Sequence, residues 1–347
     1  MLSIIIPCYN NGRYLIEMIN CFRHQTTTDW ELIIVDDGST DDTPQMVEKA
    51  IRDLPNAYFL RRNREPKGSV VCRNIGYDKA SGKYVCHLDA DDLVSSTFVE
   101  HRVAFMENHP DVDYASFPAK RFDNPQKLPK YEEGGYSWGV GDDNDDLLLC
   151  FLKGYDYPFS VWNNIYKREA IKELPWDENV RIYTDFSFIV PCILAGLKHK
   201  FSGLQEVDYY YRNDSNDKVA MTKNFVSDEK CKSTIYLFTK TLRSFEKLEL
   251  DPIYKKEFFN FVILHFHRLM MSDATKSKKN IDEFVEWVDY YYHCGIKFKK
   301  IVRYNKVEPL ISRYRVLSIQ YALRFGIFRY IEPFWYSIKR RFGIKDN

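Results

Sequence analysis

The chain has 347 residues, of which 45% are hydrophobic and 16% aromatic, enough to bury a sizeable core and to form about two domains. Its 50 Lys and Arg against 49 Asp and Glu leave a net charge of +1, which excludes the basic field of a nucleic-acid binder. It lacks a basic leader segment and any apolar run of about 18 uncharged residues, so a cytoplasmic location is expected, and its eight cysteines, none at C-x-x-C spacing, read as reduced core thiols rather than a zinc site.

Residues 2–6 form a short, wholly apolar run, the pattern of a strand covered on both faces. Leu15, Met18, Ile19 and Phe22 then fall at helical spacing, and residues 31–35 are a second strand. Thr40, Asp41, Asp42 and Pro44 open a helix whose buried stripe is Val47, Ala50, Ile51 and Leu54; residues 58–60 are a third strand. A helix over 69–80 is expected to stop at a left-handed Gly82. Residues 83–88 are a fourth strand, Ser95 or Ser96 caps a helix reaching Asn108, and 112–117 is a fifth strand. Strand–helix repetition of this kind means a mostly parallel sheet with right-handed crossovers.

The pattern breaks at 119–136, where Pro125, Pro129, Gly134 and Gly135 predict irregular β-structure or loop. The acidic residues in 142–146 read as a capping loop before a helix at 147–152. Residues 206–212 are strand-like, with three successive tyrosines. Beyond about residue 225 three aromatic-rich helices are expected, at 226–245, 253–271 and 281–292. The division is therefore drawn as an α/β domain over 1–222 and an all-α region over 223–347.

Ligands of open parallel sheets bind beyond the carboxyl ends of the strands. Pro7-Cys8-Tyr9-Asn10-Asn11-Gly12 follows the first strand, Asp36-Asp37-Gly38-Ser39 the second and Asp89-Ala90-Asp91-Asp92 the fourth. Tyr9 can stack on a flat base, and an ionised Asp37 accepts from an imide N–H. Asp89 and Asp91 share one side of an extended segment and are hard oxygen ligands suited to Mg²⁺ or Mn²⁺. Each fragment alone is an ordinary turn or cap; their order at successive strand ends is what points to a site.

These motifs resemble glycosyltransferase family 2, inverting enzymes of the GT-A fold. The resemblance covers about residues 1–215 and also takes in Arg73-Asn74-Ile75-Gly76 and the Ala80-Ser81-Gly82-Lys83-Tyr84-Val85 approach to Leu88-Asp89. It implies a Rossmann-like sheet flanked by helices, an all-α C-terminal extension, and transfer of a sugar from a nucleoside diphosphate sugar, UDP preferred, to a glycan or lipid-linked glycan in surface polysaccharide biosynthesis. Donor binding would fall to Pro7, Tyr9, Asp36, Asp37, Arg73, Asp89 and Ala90. The metal would be held by Asp91 with Asp89, while Asp92 orients its loop or caps the next helix. Trp162, Asn163 and Asn164 would border the acceptor, Arg212 would belong to a closing loop, and Asp185 would be the catalytic base. The family usually shows Glu before that Asp; here Thr184 stands in its place.

The non-enzymatic alternative is a sugar-nucleotide-binding subunit, kept open by Thr184. The enzymatic one is a nucleotidyltransferase, which lacks support because the first strand is not followed by a Gly-rich basic loop. From 297 to 347 there are 13 Lys and Arg against 3 Asp and Glu. This basic, aromatic-rich segment fits either peripheral contact with an anionic membrane surface on its inner face or packing on protein.

Overall fold

The computed structural model describes residues 1–133, 137–152, 157–213, 227–271 and 278–292. They belong to two units, Met1–Ile281 and Asp282–Asn347. The boundary expected between 222 and 223, the closing loop after Arg212 and the basic segment 297–347 all lie outside the described residues.

The first unit opens with β1 (Leu2–Cys8), α1 (Gly12–Arg23), β2 (Trp30–Asp36), α2 (Thr43–Ala50), β3 (Ala57–Arg61), α3 (Ser69–Lys79) and β4 (Tyr84–His87). Then come β5 (Leu93–Val94), α4 (Phe98–Asn108), β6 (Tyr114–Ser116), β7 (Ala119–Phe122), β8 (Ser137–Trp138) and α5 (Leu147–Leu152). They are followed by β9 (Asn164–Lys167), α6 (Thr184–Leu194), β10 (His199–Phe201), β11 (Tyr209–Arg212), α7 (Asp228–Lys247) and α8 (Pro252–Met271). A last helix, α9 (Lys278–Tyr292), runs into the second unit.

Seven strands form the main sheet in the order β10-β6-β9-β4-β1-β2-β3, and a smaller sheet runs β5-β11-β7-β8. The main sheet is parallel except at β9, which lies antiparallel between β4 and β6. Every residue of β1 and β2 is buried, as their largely apolar sequences require of strands covered on both faces. The mostly parallel α/β architecture expected from the sequence is therefore the one observed. Within the stretch read as irregular β-structure or loop, residues 119–122 form β7, paired with β11 and β8.

Two strand ends differ from expectation for clear reasons. β1 continues through Pro7, which pairs with Val35. Its ladder with β4 has already ended at Ile5, so the missing N–H of Pro7 leaves no bond unmade on that side. Gly82 is not left-handed; α3 stops at an extended Ala80. A Cβ at Gly82 would lie 2.6 Å from Ser3 Oγ and 2.8 Å from Ser3 N, so glycine is there for close approach to β1. That approach builds a polar knot. Glu31 Oε1 accepts from Ser3 Oγ (2.6 Å), Ser81 N (2.6 Å) and Ser81 Oγ (2.9 Å). Burial works to raise the Glu31 carboxyl, but these donors outweigh it and hold it below its ordinary value.

α4 is tied to the smaller sheet by a dry ion pair. Arg102 is fully buried and grips Asp208 with Nε at 2.7 Å and Nη2 at 2.9 Å, while Nη1 donates to Asn164 O at 3.2 Å. Its guanidinium carbon lies 4.0 Å from the ring centre of Phe98. Removing one partner leaves the other charge buried and unpaired. Arg102→Met is expected to lower the unfolding free energy by ~3–5 kcal/mol. The double variant Arg102→Met/Asp208→Leu should recover much of that loss in denaturant titrations.

Candidate active site

Three turns leave one edge of the main sheet side by side, because β1 pairs with β2 on one flank and β4 on the other. The first two turns are sewn together. Asn10, held at φ 50°, donates its backbone N–H to Ser39 Oγ at 2.9 Å. Its side chain accepts from Thr40 N at 2.8 Å and donates to Thr40 Oγ1 at 3.2 Å. Asp37, 7% exposed, accepts from Arg62 Nε at 2.7 Å and Gly68 N at 3.0 Å, and so draws in the loop before α3. From that loop Lys67 places its ammonium 3.4 Å from the centre of the Tyr9 ring, covering one face.

The third turn is anchored from below. Arg73 is 3% exposed on α3, donates to Asp89 Oδ1 at 2.6 Å and stacks over Trp176 at 4.6 Å. It is therefore a built-in counter-charge to Asp89. Asp92 is fully buried and accepts from Tyr209 O–H at 2.6 Å and Arg212 N at 2.7 Å. Burial first, then the charges of Asp91 and Asp89, push its carboxyl well above the ordinary value. Asp92 thus orients the loop, as expected, and does not cap α4, whose Ncap residue is Thr97. Arg212 closes the bracket by donating Nε to Asp91 O and Nη2 to Glu17 on α1 at 2.6 Å.

Asp185 sits in the first turn of α6. Its Oδ2 accepts from the Ser160 hydroxyl, and the Val161 N–H also donates to it. Burial, then the negative charge of Asp89, raise its carboxyl above the ordinary value; Ser160, Arg73 and Val161 pull the other way. Asp185 and the Asp89 turn, 96 residues apart in the sequence, thus lie within electrostatic reach of each other.

Comparison with known proteins identifies the family. The family described as Glycosyl transferase family 2 matches residues 3–188, more than half of the chain. The chain belongs to glycosyl transferase family 2. An uncharacterized glycosyltransferase of Haemophilus influenzae is 28% identical over 248 residues, covering 69% of this chain and 86% of that protein. GgaB of Bacillus subtilis, a minor teichoic acid biosynthesis protein, is 24% identical over 82% of this chain and 31% of its own length. Other relatives are longer: the chain spans 20% of a Rickettsia bellii glycosyltransferase and 17% of one from Rickettsia felis. Among solved structures, S. aureus TarS residues 1–349 in complex with UDP-GlcNAc superimposes with a TM-score of 0.60 at 20% identity, over 83% of this chain and 81% of that one. That likeness bears on the fold, which is the GT-A architecture of this glycosyltransferase family.

Within the family's site, several expected contacts prove to be supports. Asp36 is 1% exposed and gives both carboxylate oxygens to Ser39, with Ser39 N at 3.1 and 3.2 Å, so it shapes its turn instead of meeting a donor. Pro7 and Ala90 are buried in the strand and beneath the third turn. Asn163 and Asn164 are fully buried and cannot border an acceptor. Asn163 bonds Ser160 N at 2.7 Å and Phe117 O at 2.9 Å; Asn164 bonds Ser116 Oγ at 2.7 Å and Tyr166 O–H at 2.9 Å. Trp162 is core, stacked on Tyr209 at 4.7 Å and Tyr211 at 5.5 Å. Arg212 is only 8% exposed in its side chain and holds the Asp91-Asp92 turn. Ser160 was missed, although its capping box with Asn163 is a readable Ser-x-x-Asn pattern.

The acidic loop after 141 is also structural: Asp146 caps α5 through Leu149 N at 3.0 Å, and Asp143 pairs with Lys200 at 2.9 Å. Cys8, Cys21, Cys72, Cys86 and Cys192 are free thiols. Among the described residues no group of three or more His, Cys, Asp and Glu side chains is arranged to hold a metal ion. None of the described helices is long and apolar enough to cross a membrane. A cavity of about 420 Å³ opens beside Asn74, His87, Trp176 and Glu178 and is lined by none of the expected site residues.

Tyr209 O–H is the donor that links Asp92 to the third turn, since it also accepts from Asp89 N at 3.4 Å. Tyr209→Phe keeps the stack on Trp162 but leaves a buried carboxyl short of a donor. It is expected to cost ~1–3 kcal/mol of stability, read from the urea midpoint.

Proposed function

We propose that the protein moves a sugar, with inversion, from a nucleoside diphosphate sugar to a hydroxyl of a glycan or lipid-linked glycan in surface polysaccharide biosynthesis. A UDP-sugar is the preferred donor. The observation that carries this reading is Asp185 beside Asp89 and Arg73: a carboxylate of raised basicity next to a turn suited to a diphosphate. TarS solved with UDP-GlcNAc and the teichoic acid role in the name of GgaB support the donor and the polymer class.

In this reading Tyr9 and Asp37 frame the nucleobase, with Asp37 oriented by Arg62 and Gly68. Asp89, 35% exposed in its side chain, and Asp91, partly buried, offer two hard oxygen donors. Such a pair fits Mg²⁺ or Mn²⁺, with the remaining oxygens coming from diphosphate and water. The ion, when bound, supplies positive charge against the departing diphosphate. Arg73 holds Asp89 in position for it. Asp185 takes the proton from the acceptor hydroxyl as that oxygen attacks the anomeric carbon. The bond to the diphosphate oxygen breaks on the opposite face, so configuration inverts in one displacement. The enzyme acts from the cytoplasm, with residues 297–347 as a peripheral contact at the inner face of the membrane.

Asp185→Ala is expected to lower turnover by ~10²–10⁴-fold while leaving donor affinity nearly unchanged, in steady-state kinetics and calorimetry. A variant that loses donor binding but keeps turnover with bound donor would count against the assignment. Asp91→Ala is expected to abolish the Mn²⁺-dependent part of UDP-sugar binding in a thermal-shift titration.

The pH profile follows from the raised Asp185 carboxyl. A base acts only when ionised, so turnover rises with pH through its raised value, and the acid limb lies above the ordinary carboxylate range. Ser160→Ala removes a donor that favours the charged form. The acid limb of that variant should move to still higher pH; a limb that stays put, or moves down, separates Asp185 from it.

A further inference from the structure

The helix that carries Asp185 is entered through a strained turn. Tyr183, the residue before α6, has φ 58° and ψ 37°, a left-handed conformation that a bulky residue keeps only where its surroundings hold it. The helices α7 and α8 supply that hold. Tyr183 O–H is 2.8 Å from His265 Nδ1. Its ring meets Phe261 edge-on at 4.9 Å, His265 edge-on at 5.6 Å and Phe238 nearly parallel at 6.2 Å. His265, Phe238 and Phe261 are all at most 1% exposed.

The segment leading to Tyr183 is gripped by the same helices. Arg181 N donates to Ser233 Oγ at 2.7 Å, and Arg181 Nε pairs with Glu229 at 2.7 Å. Asp177 accepts from Tyr236 O–H at 2.9 Å and from Lys240. On the other side, Tyr183 O accepts from Ser187 N at 2.9 Å, the first backbone bond of α6. Asp185 lies within that turn, its carboxylate fixed by Ser160. One continuous path therefore runs from α8 through Tyr183 to the Asp185 carboxylate.

We propose that the Tyr183–His265 bond is a latch by which α8 sets the left-handed entry of α6 and so aims the Asp185 carboxylate. Tyr183 and His265 are then positioning residues for the transfer. This rests on the reading of Asp185 as the base. It makes α7 and α8 part of the apparatus that positions the base.

The test uses the full chain with a UDP-sugar donor and compares Tyr183→Phe, Tyr183→Gly, His265→Phe, His265→Asn and the double variant Tyr183→Phe/His265→Phe. Asp185→Asn is the control. Tyr183→Phe and His265→Phe are each expected to lower kcat by about 10-fold or more, with donor KM unchanged, as misaimed catalytic groups do. The double variant should fall no further than either single one, because both remove one interaction. His265→Asn, whose amide can reach the Tyr183 hydroxyl, should retain more turnover than His265→Phe. Tyr183→Gly relaxes the left-handed turn without the latch, so it should keep the donor-induced thermal shift, which reports the fold, and still lose kcat.

Wild-type kcat in Tyr183→Phe or in Tyr183→Gly, or a donor KM that rises in step with the loss of kcat, overturns the latch. If Asp185→Asn keeps wild-type turnover, the base assignment fails whatever the latch variants do. If Asp185→Asn is inactive while the Tyr183 variants are normal, the latch alone fails.

Discussion

Four carboxylates, Asp89, Asp91, Asp92 and Asp185, are gathered at one end of this sheet, and the arrangement depends on how their charge is balanced. Arg73 meets Asp89 from inside the protein, and Arg212 meets the Asp91-Asp92 turn from β11. Neither arginine is on the surface: their side chains are 4% and 8% exposed. A buried guanidinium with a fixed fork holds a carboxylate at a set angle at little entropic cost. Burial and the neighbouring carboxylates raise the Asp92 and Asp185 carboxyls above the ordinary value, and for Asp185 the Ser160 hydroxyl and Arg73 pull part of the way back. The turn thus concentrates negative charge while buried arginines and hydrogen bonds hold it in place.

The polar interior continues this logic away from the site. Glu31 with Ser3 and Gly82, and Arg102 with Asp208, are charges buried only because hydrogen bonds meet them. The first pins β1, β2 and the approach to β4 in register at the end of the sheet remote from the site; the second holds α4 against the segment entering β11. Since β11 carries Tyr209 and Arg212, the second pair also supports the acidic turn. His87, the last residue of β4, is buried and held well below its ordinary value by burial and then by Arg73. Its ring packs edge-on against Trp176 at 5.3 Å.

The strands and the site turns were legible because their signals are local. An apolar run marks β1, strand–helix alternation places β2, β3, β4 and β6, and helical spacing marks α1 and the helices after residue 227. The fates of the polar residues were not legible, since they depend on partners far along the chain. Asp36 and Asp37 are neighbours in one motif, yet one folds back on Ser39 and the other reaches Arg62 and Gly68. Asn163 and Asn164 read as ligand contacts because amides often are, but Phe117, Ser116 and Tyr166 consume them. Gly82 matched a helix terminator by spacing; only the position of Ser3 shows that it is a close-approach glycine. Ser160 could be read as a cap, but its bond to Asp185 spans 25 residues and needed the fold.

Thr184 can be understood in the same electrostatic terms. The family usually carries Glu at this position, directly before the candidate base. Here Thr184 opens α6, and its carbonyl accepts from Ser187 Oγ at 2.7 Å. A glutamate at this point would add a carboxylate beside Asp185, whose own charge is already disfavoured by burial and by Asp89. Threonine removes that repulsion, so the raised basicity of Asp185 is set by burial and Asp89 and moderated by Ser160 and Arg73, without a neighbouring acid. Any hydrogen bond that a glutamate would offer an acceptor is lost with it. Positioning of the attacking hydroxyl then falls to other groups around α6, and the strained Tyr183 entry, clamped by α7 and α8, is the part of the structure that fixes where that helix begins.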